Sequence, residues 1–282
     1  MRTGRAQMFK AITLTLAAGL LAACQTAPKP IDYAQLTDLQ KACQLPQGQT
    51  APSERLVSKS YRTSDSKDLV VLLHGRSAIA LKGQPDASLA AKRAERLARD
   101  GGGATVVAIA RPGFRMQGEK SPGDAFGGSD SATAYNNAWV ANEIAALKSE
   151  LGADRVTLVG DSEGGLTAAA IAACRPELVD HLLLGRCPCD LAQMRKTVGD
   201  DALFLRSPSP IALVDHFDKD LIVRITTAPN DKQTPIPLAF SFLEAASVKV
   251  DARGFFKGEK EGHGWSKVRD YLTKQVNELT AR

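Results

Sequence analysis

The chain has 282 residues, 44% apolar and 24% charged, with a formal net charge of +5 and five cysteines. Three cations (Arg2, Arg5, Lys10) and no anions lie in residues 1–23, so residues 24–282 carry only +2; with no Lys/Arg run interleaved with aromatics, nucleic-acid binding has no support. That length suits one α/β domain with a full core, and no internal repeat or low-complexity segment competes with this reading.

Residues 1–23 combine a basic start with an apolar stretch from Ala11 to Ala23, the pattern of a secretory signal and too short for a comfortable membrane span. The stretch ends in Leu21-Ala22-Ala23-Cys24, which resembles the lipobox of bacterial lipoproteins. That resemblance implies cleavage before Cys24, acylation of its thiol and a stable anchor, since two acyl chains suffice where one is marginal. Gln25 resembles the sorting pattern that sends lipoproteins to the outer membrane, so a lipid-anchored protein on the periplasmic side is expected. Residues 24–53 read as a tether, QTAPKPID, followed by an N-terminal segment with a small amphipathic helix over 33–43. The domain proper is placed at 54–282.

Within it, Glu54 to Arg62 is a first strand, and DLVVLL (68–73) is an apolar run suited to a strand covered on both faces. It runs into His74-Gly75-Arg76. A helix over 87–99 closes at a glycine triplet, and a second buried strand spans 104–110. The Gly-, Ser- and Pro-rich loop 111–131 is long for a plain connector, so it is expected to face substrate. A helix over 132–151 leads into the strand before Gly160. Further strands are predicted at 181–185, 221–227 and 247–252, a small cap excursion between 187 and 220, and a terminal helix over 265–281. Alternating strands and helices predict a mostly parallel sheet with helices on both faces.

The sequence RVTLVGDSEGGLTAAAIAACR (155–175) reads as strand, abrupt turn and small-residue helix, and Gly160-Asp161-Ser162-Glu163-Gly164 fits G-x-S-x-G. Such a turn holds Ser162 in a strained conformation and needs near-absent side chains two residues to either side. It also sets the hydroxyl beside a helix N-terminus, where unsatisfied amides and the dipole favour an oxyanion.

A serine hydroxyl needs a base, usually a histidine oriented by a carboxylate. Of four histidines, His74 ends a strand, His181 opens one and His216 sits among aspartates; His263 lies between two glycines after the last predicted strand. Asp231, just after LIVRITT, is the carboxylate expected to orient it, with Asp190 in reserve. Asp161 adjoins the serine and is wrongly placed for that task.

HG at 74–75, RPGF at 111–114, GDSEGG at 160–165, NDKQTP at 230–235 and GHGW at 262–265 together resemble the α/β-hydrolase family, over roughly residues 55–282. The resemblance implies an eight-stranded sheet, with Ser162 after strand five, Asp231 after strand seven and His263 after strand eight. It implies an oxyanion hole from the backbone amides of Glu163 and Arg76. The branch it is most similar to holds esterases and prolyl-oligopeptidase-like enzymes, although too few residues precede His74 for a propeller. The expected activity is hydrolysis of carboxylic esters on a small-molecule acyl substrate. A small serine peptidase or amidase, and a non-catalytic envelope-binding lipoprotein of the same fold, are the alternatives. Arg76 and Arg111 are candidates for an anionic substrate or for a scaffold salt bridge. No cofactor and no metal are expected.

With Cys24 acylated, Cys43, Cys174, Cys187 and Cys189 remain, an even number that predicts two disulfides in an oxidising compartment. A bridge across Cys187-Pro188-Cys189 is geometrically poor, so Cys43 is expected to join one of that pair and Cys174 the other. Zinc binding at Cys-Pro-Cys is the weaker alternative, having no matching histidine spacing.

Overall fold

Parity along the apolar strands sets the layers. Strands β1 (Ser58–Tyr61), β2 (Asp68–Leu73) and β3 (Thr105–Ile109), a small hairpin of β4 (Arg115–Met116) and β5 (Glu119–Lys120), and then β6 (Arg155–Asp161), β7 (His181–Gly185), β8 (Ile222–Thr226) and β9 (Asp251–Phe255) follow in chain order. Leu69, Val71 and Leu73 of β2 point into one core, and Val70 and Leu72 into the other. The computed structural model describes residues 31–50, 52–76, 85–100, 102–256 and 262–281, and residues 32–282 form one compact unit. The expected signal segment, Cys24 and most of the tether lie outside the described residues.

The main sheet runs β1-β3-β2-β6-β7-β8-β9, parallel throughout except for β1, which pairs antiparallel with β3. Among the described residues it therefore has seven strands where the resemblance implies eight. One face is covered by α3 (Ala134–Leu151), α4 (Gly164–Cys174) and α6 (Ile236–Ser247), with α1 (Asp38–Cys43) packed on α3 and α4; α2 (Ser88–Asp100) and α7 (Trp265–Thr280) cover the other face. The cap excursion contributes α5 (Leu191–Val198) and a 3-10 turn over Pro210–His216.

The last strand is shifted toward the C-terminus from the predicted 247–252, and an unassigned helix, α6, precedes it. Ser247 closes α6, and β9 begins only at Asp251, because the apolar spacing of Leu238, Ala239, Phe242 and Ala246 is helical and those residues are buried. The loop over 111–131 is also not what its length suggests. Phe114, Met116, Ser121 and Ser131 are buried in it, β4 and β5 pair within it, and Arg115 bridges to Asp86 just before α2.

Two disulfides form, but the expected pairing is wrong: Cys43 bonds Cys174, and Cys187 bonds Cys189. Cys187 leaves β7 beside the first turn of α4, where a methyl on Gly165 would meet its sulfur at 2.9 Å. Cys174 ends that same helix, 11 residues long and therefore about 16 Å away. Packing of α1 on α4 instead brings Cys43 to Cys174, with Cα atoms 5.5 Å apart.

Candidate active site

The turn between β6 and α4 shows why glycine flanks Ser162. A methyl on Gly160 would sit 2.6 Å from the Gly165 Cα, and one on Gly164 would sit 2.2 Å from the Leu73 carbonyl oxygen. Neither neighbour can yield, being backbone. Ser162 itself adopts φ +54°, a left-handed conformation costly for a residue with a side chain, and its N–H donates to the Gly185 carbonyl at 2.7 Å. The result aims the hydroxyl outward from the carboxyl edge of the sheet.

Three side chains from distant parts of the chain meet there. The Ser162 Oγ lies 3.3 Å from His263 Nε2, and His263 Nδ1 lies 2.8 and 3.0 Å from the two oxygens of Asp231. The first distance lies at the long end of the hydrogen-bond range. Asp231 follows β8, and His263 sits in the turn between β9 and α7, which is held to the Asp231 loop by Gly262 N–H donating to the Pro229 carbonyl at 2.9 Å.

Asp231 is 2% exposed and well satisfied. Its Oδ1 accepts from the amides of Gln233 and Thr234 at 2.9 and 3.0 Å, and its Oδ2 from the Thr234 hydroxyl at 2.8 Å. Burial alone would raise its pKa, but the hydrogen bonds from His263 and Thr234 outweigh it and hold the carboxyl below its ordinary value. An ionised Asp231 accepting from Nδ1–H leaves Nε2 as the lone-pair nitrogen facing Ser162.

The His74–Arg76 turn runs against the serine, since a methyl on Gly75 would lie 2.7 Å from Ser162 Cβ. Burial, then the nearby Arg111, push His74 well below its ordinary pKa, so its ring is neutral. Nε2 accepts from the Arg111 N–H at 3.1 Å, which puts the ring proton on Nδ1 to meet the Gly75 carbonyl at 2.8 Å. The backbone amides of Arg76 and Glu163, the expected oxyanion donors, donate to no other group among the described residues.

The other sequence candidates have structural duties. Arg111, 1% exposed, donates to the Ser131 hydroxyl at 2.8 Å and lies 4.0 Å from the Glu163 carboxylate, which places it in the scaffold and away from substrate. Asp190 caps α5, accepting from Gln193 N–H at 2.9 Å. Asp161 is gripped by two guanidiniums, Arg93 at 2.7 Å and Arg186, a cluster that sequence reasoning missed. Parallel register was the signal: Asp161 pairs with Gly185, so the residue after Gly185 falls beside the residue before the serine.

Two cavities open from Ser162 and His263. One, of about 530 Å³, has an apolar wall from the cap excursion (Pro188, Met194, Val198, Leu203 and Phe204) and from Leu238 of α6, with Arg76, Glu163 and Lys232 also lining it. The other, of about 480 Å³, is walled by His74, Asp161, Arg93, Arg186 and Trp265. Residues 111–131, expected to face substrate, line neither among the described residues. No group of three or more metal-ligating side chains occurs among the described residues.

A family model described as "alpha/beta hydrolase fold" matches residues 68–185. No curated protein matches the sequence. Among solved structures, the chain is similar to a bifunctional GH43-CE protein of Bacteroides eggerthii (17% identity, TM-score 0.57, covering 80% of this chain and 35% of that one). It is also similar to Est1E from Butyrivibrio proteoclasticus, solved with ferulic acid bound (14%, TM-score 0.56, 79% and 94%). A lipase-esterase related protein from Clostridium acetobutylicum is a third likeness (12%, TM-score 0.55, 80% and 99%). At these identities the likeness is one of fold.

Proposed function

We propose that this chain, which has an esterase- and lipase-like α/β-hydrolase fold, is a serine hydrolase of carboxylic esters. One observation carries the reading: the continuous line of hydrogen-bond partners from Ser162 through His263 to Asp231. In the proposed cycle His263 Nε2 takes the hydroxyl proton as Ser162 Oγ attacks the ester carbonyl. Asp231 holds the ring tautomer and stabilises the imidazolium. The amides of Glu163 and Arg76 receive the oxyanion, each such donor being worth about 3 kcal/mol in the barrier. His263 then protonates the departing alcohol, and water, activated by the same ring, releases the acyl group.

The test compares 4-nitrophenyl butyrate with an aminoacyl 4-nitroanilide, using wild type and Ser162→Ala. Ester cleavage lost in the variant supports the reading. Preferential anilide cleavage makes the chain an amidase or peptidase, and cleavage of neither removes the enzyme reading in favour of a binding protein.

We also infer that Cys24 carries the lipid anchor, on the strength of Leu21-Ala22-Ala23-Cys24. Cys24→Ser should then move the protein from the membrane to the soluble fraction of cells expressing it; unchanged retention contradicts the anchor.

A further inference from the structure

The second cavity at Ser162 is the more basic of the two; the first has Arg76, which lines both, and Lys232 against Glu163. Arg76, Lys92, Arg93 and Arg186 line the second against only two carboxylates, Asp86 and Asp161. Arg93 and Arg186 share Asp161, one guanidinium on each oxygen, so a single anion compensates two cations. Arg186 has a side chain 5% exposed; its Nε, itself closed to solvent, has no hydrogen-bond partner among the described residues, so its charge is answered by Asp161 alone. Arg93 stacks over Trp265 at 5.2 Å, which fixes its plane at the cavity wall. Lys92 has no ion-pair partner among the described residues. Burial first, and then Arg186, push the Arg93 pKa down against the pull of Asp161. A desolvated guanidinium with a free N–H is costly unless an anion completes it.

We propose that this half of the site binds an oxyanion carried by the ester substrate, such as a carboxylate, phosphate or sulfate, while the apolar half takes the uncharged portion. The substrate class is therefore an anionic, amphipathic ester. Arg93, a quarter exposed at the wall, holds the anion in charge-assisted hydrogen bonds, the buried Arg186 behind it adds its incompletely compensated charge, and Lys92 adds unspecific attraction at the mouth. The catalytic readout of this proposal rests on the serine-hydrolase reading; the binding readout does not.

Two matched substrate pairs test it. In 4-acetoxybenzoate and its methyl ester the charge sits on the alcohol side, and in 4-nitrophenyl hemisuccinate and 4-nitrophenyl butyrate it sits on the acyl side. With rates normalised to alkaline hydrolysis, the anionic member of one pair should exceed its neutral partner in kcat/KM by about tenfold or more, mainly through KM, the worth of one charge-assisted hydrogen bond. Arg93→Gln, at a partly exposed position, should bring that ratio near one, and Lys92→Gln should lower it and weaken its salt dependence. Ratios within twofold in both pairs, or a preference that Arg93→Gln leaves intact, overturn the proposal. If no ester is cleaved, calorimetry of benzoate against benzamide with the wild-type chain decides. Benzoate binding lost in Arg93→Gln upholds the anion site while the hydrolase reading falls, and absence of benzoate binding overturns the site.

Discussion

Asp231 shows how a single carboxylate is kept ready for work. Accepting from two amides, the hydroxyls of Thr234 and Thr227 and one imidazole, it is held on the ionised side despite burial. Asp231→Asn keeps the shape but reverses the hydrogen-bonding sense, favouring the tautomer with a proton on Nε2. The expected loss in kcat is on the order of 10⁴-fold. Because the folded-state pKa is depressed, the ionised group adds stability at pH values above the ordinary aspartate range near 4, and that contribution disappears as pH falls through the folded value. Urea unfolding from pH 7 to pH 3 should therefore show the stability gap between wild type and Asp231→Asn closing at the acid end; a gap independent of pH contradicts this. Single residues with a motif around them were legible in the sequence: Ser162, Asp231 and His263 come together as their spacing suggests. Thr234 was visible only as part of NDKQTP, since its hydroxyl contact depends on the turn closing back on Asp231.

The β6–α4 turn is where backbone geometry dictates residue type. At Gly164 a side chain has backbone oxygens at 2.2 and 2.7 Å and nowhere to move, so Gly164→Ala should cost about 3 kcal/mol or more. Gly152, the left-handed C-cap of α3, has open space around it, so Gly152→Ala should cost only about 1–2 kcal/mol for its positive φ. Thermal unfolding of the two variants checks the contrast; equal losses would mean the close approach of α4 to β2 is not tight. The strand-turn-helix unit was legible because glycine spacing and apolar runs state it locally. Helix α6 was not assigned at all, since the apolar stretch after Pro235 has no side-chain cap to mark its start and burial alone shows which spacing faces the core. Loop 111–131 misled through its length, which implied a substrate-facing role, whereas Ser121, Ser131 and Arg111 satisfy buried backbone and side-chain groups.

Across the whole molecule, the two disulfides do unequal work. Cys43–Cys174 closes a separation of 131 residues and ties the N-terminal helix to the body, whereas Cys187–Cys189 closes a separation of two. On the chain-entropy account the first is worth about 5 kcal/mol and the second under about 2 kcal/mol. Replacing Cys43 and Cys174 together by serine should lower the urea midpoint far more than replacing Cys187 and Cys189; the reverse order contradicts that assignment. Pairing could not be read from spacing, because it depends on which end of α4 each cysteine occupies. The charge asymmetry of the two cavities was hidden as well, since Arg93, Asp161 and Arg186 meet only once the sheet register is set. The proposed hydrolase reading rests on Ser162 as the nucleophile. Incubation with a fluorophosphonate followed by peptide mass spectrometry tests it most directly. A single adduct on Ser162, formed far more slowly in His263→Ala, is the predicted result, and an unlabelled wild-type protein, or label on another serine, contradicts the account.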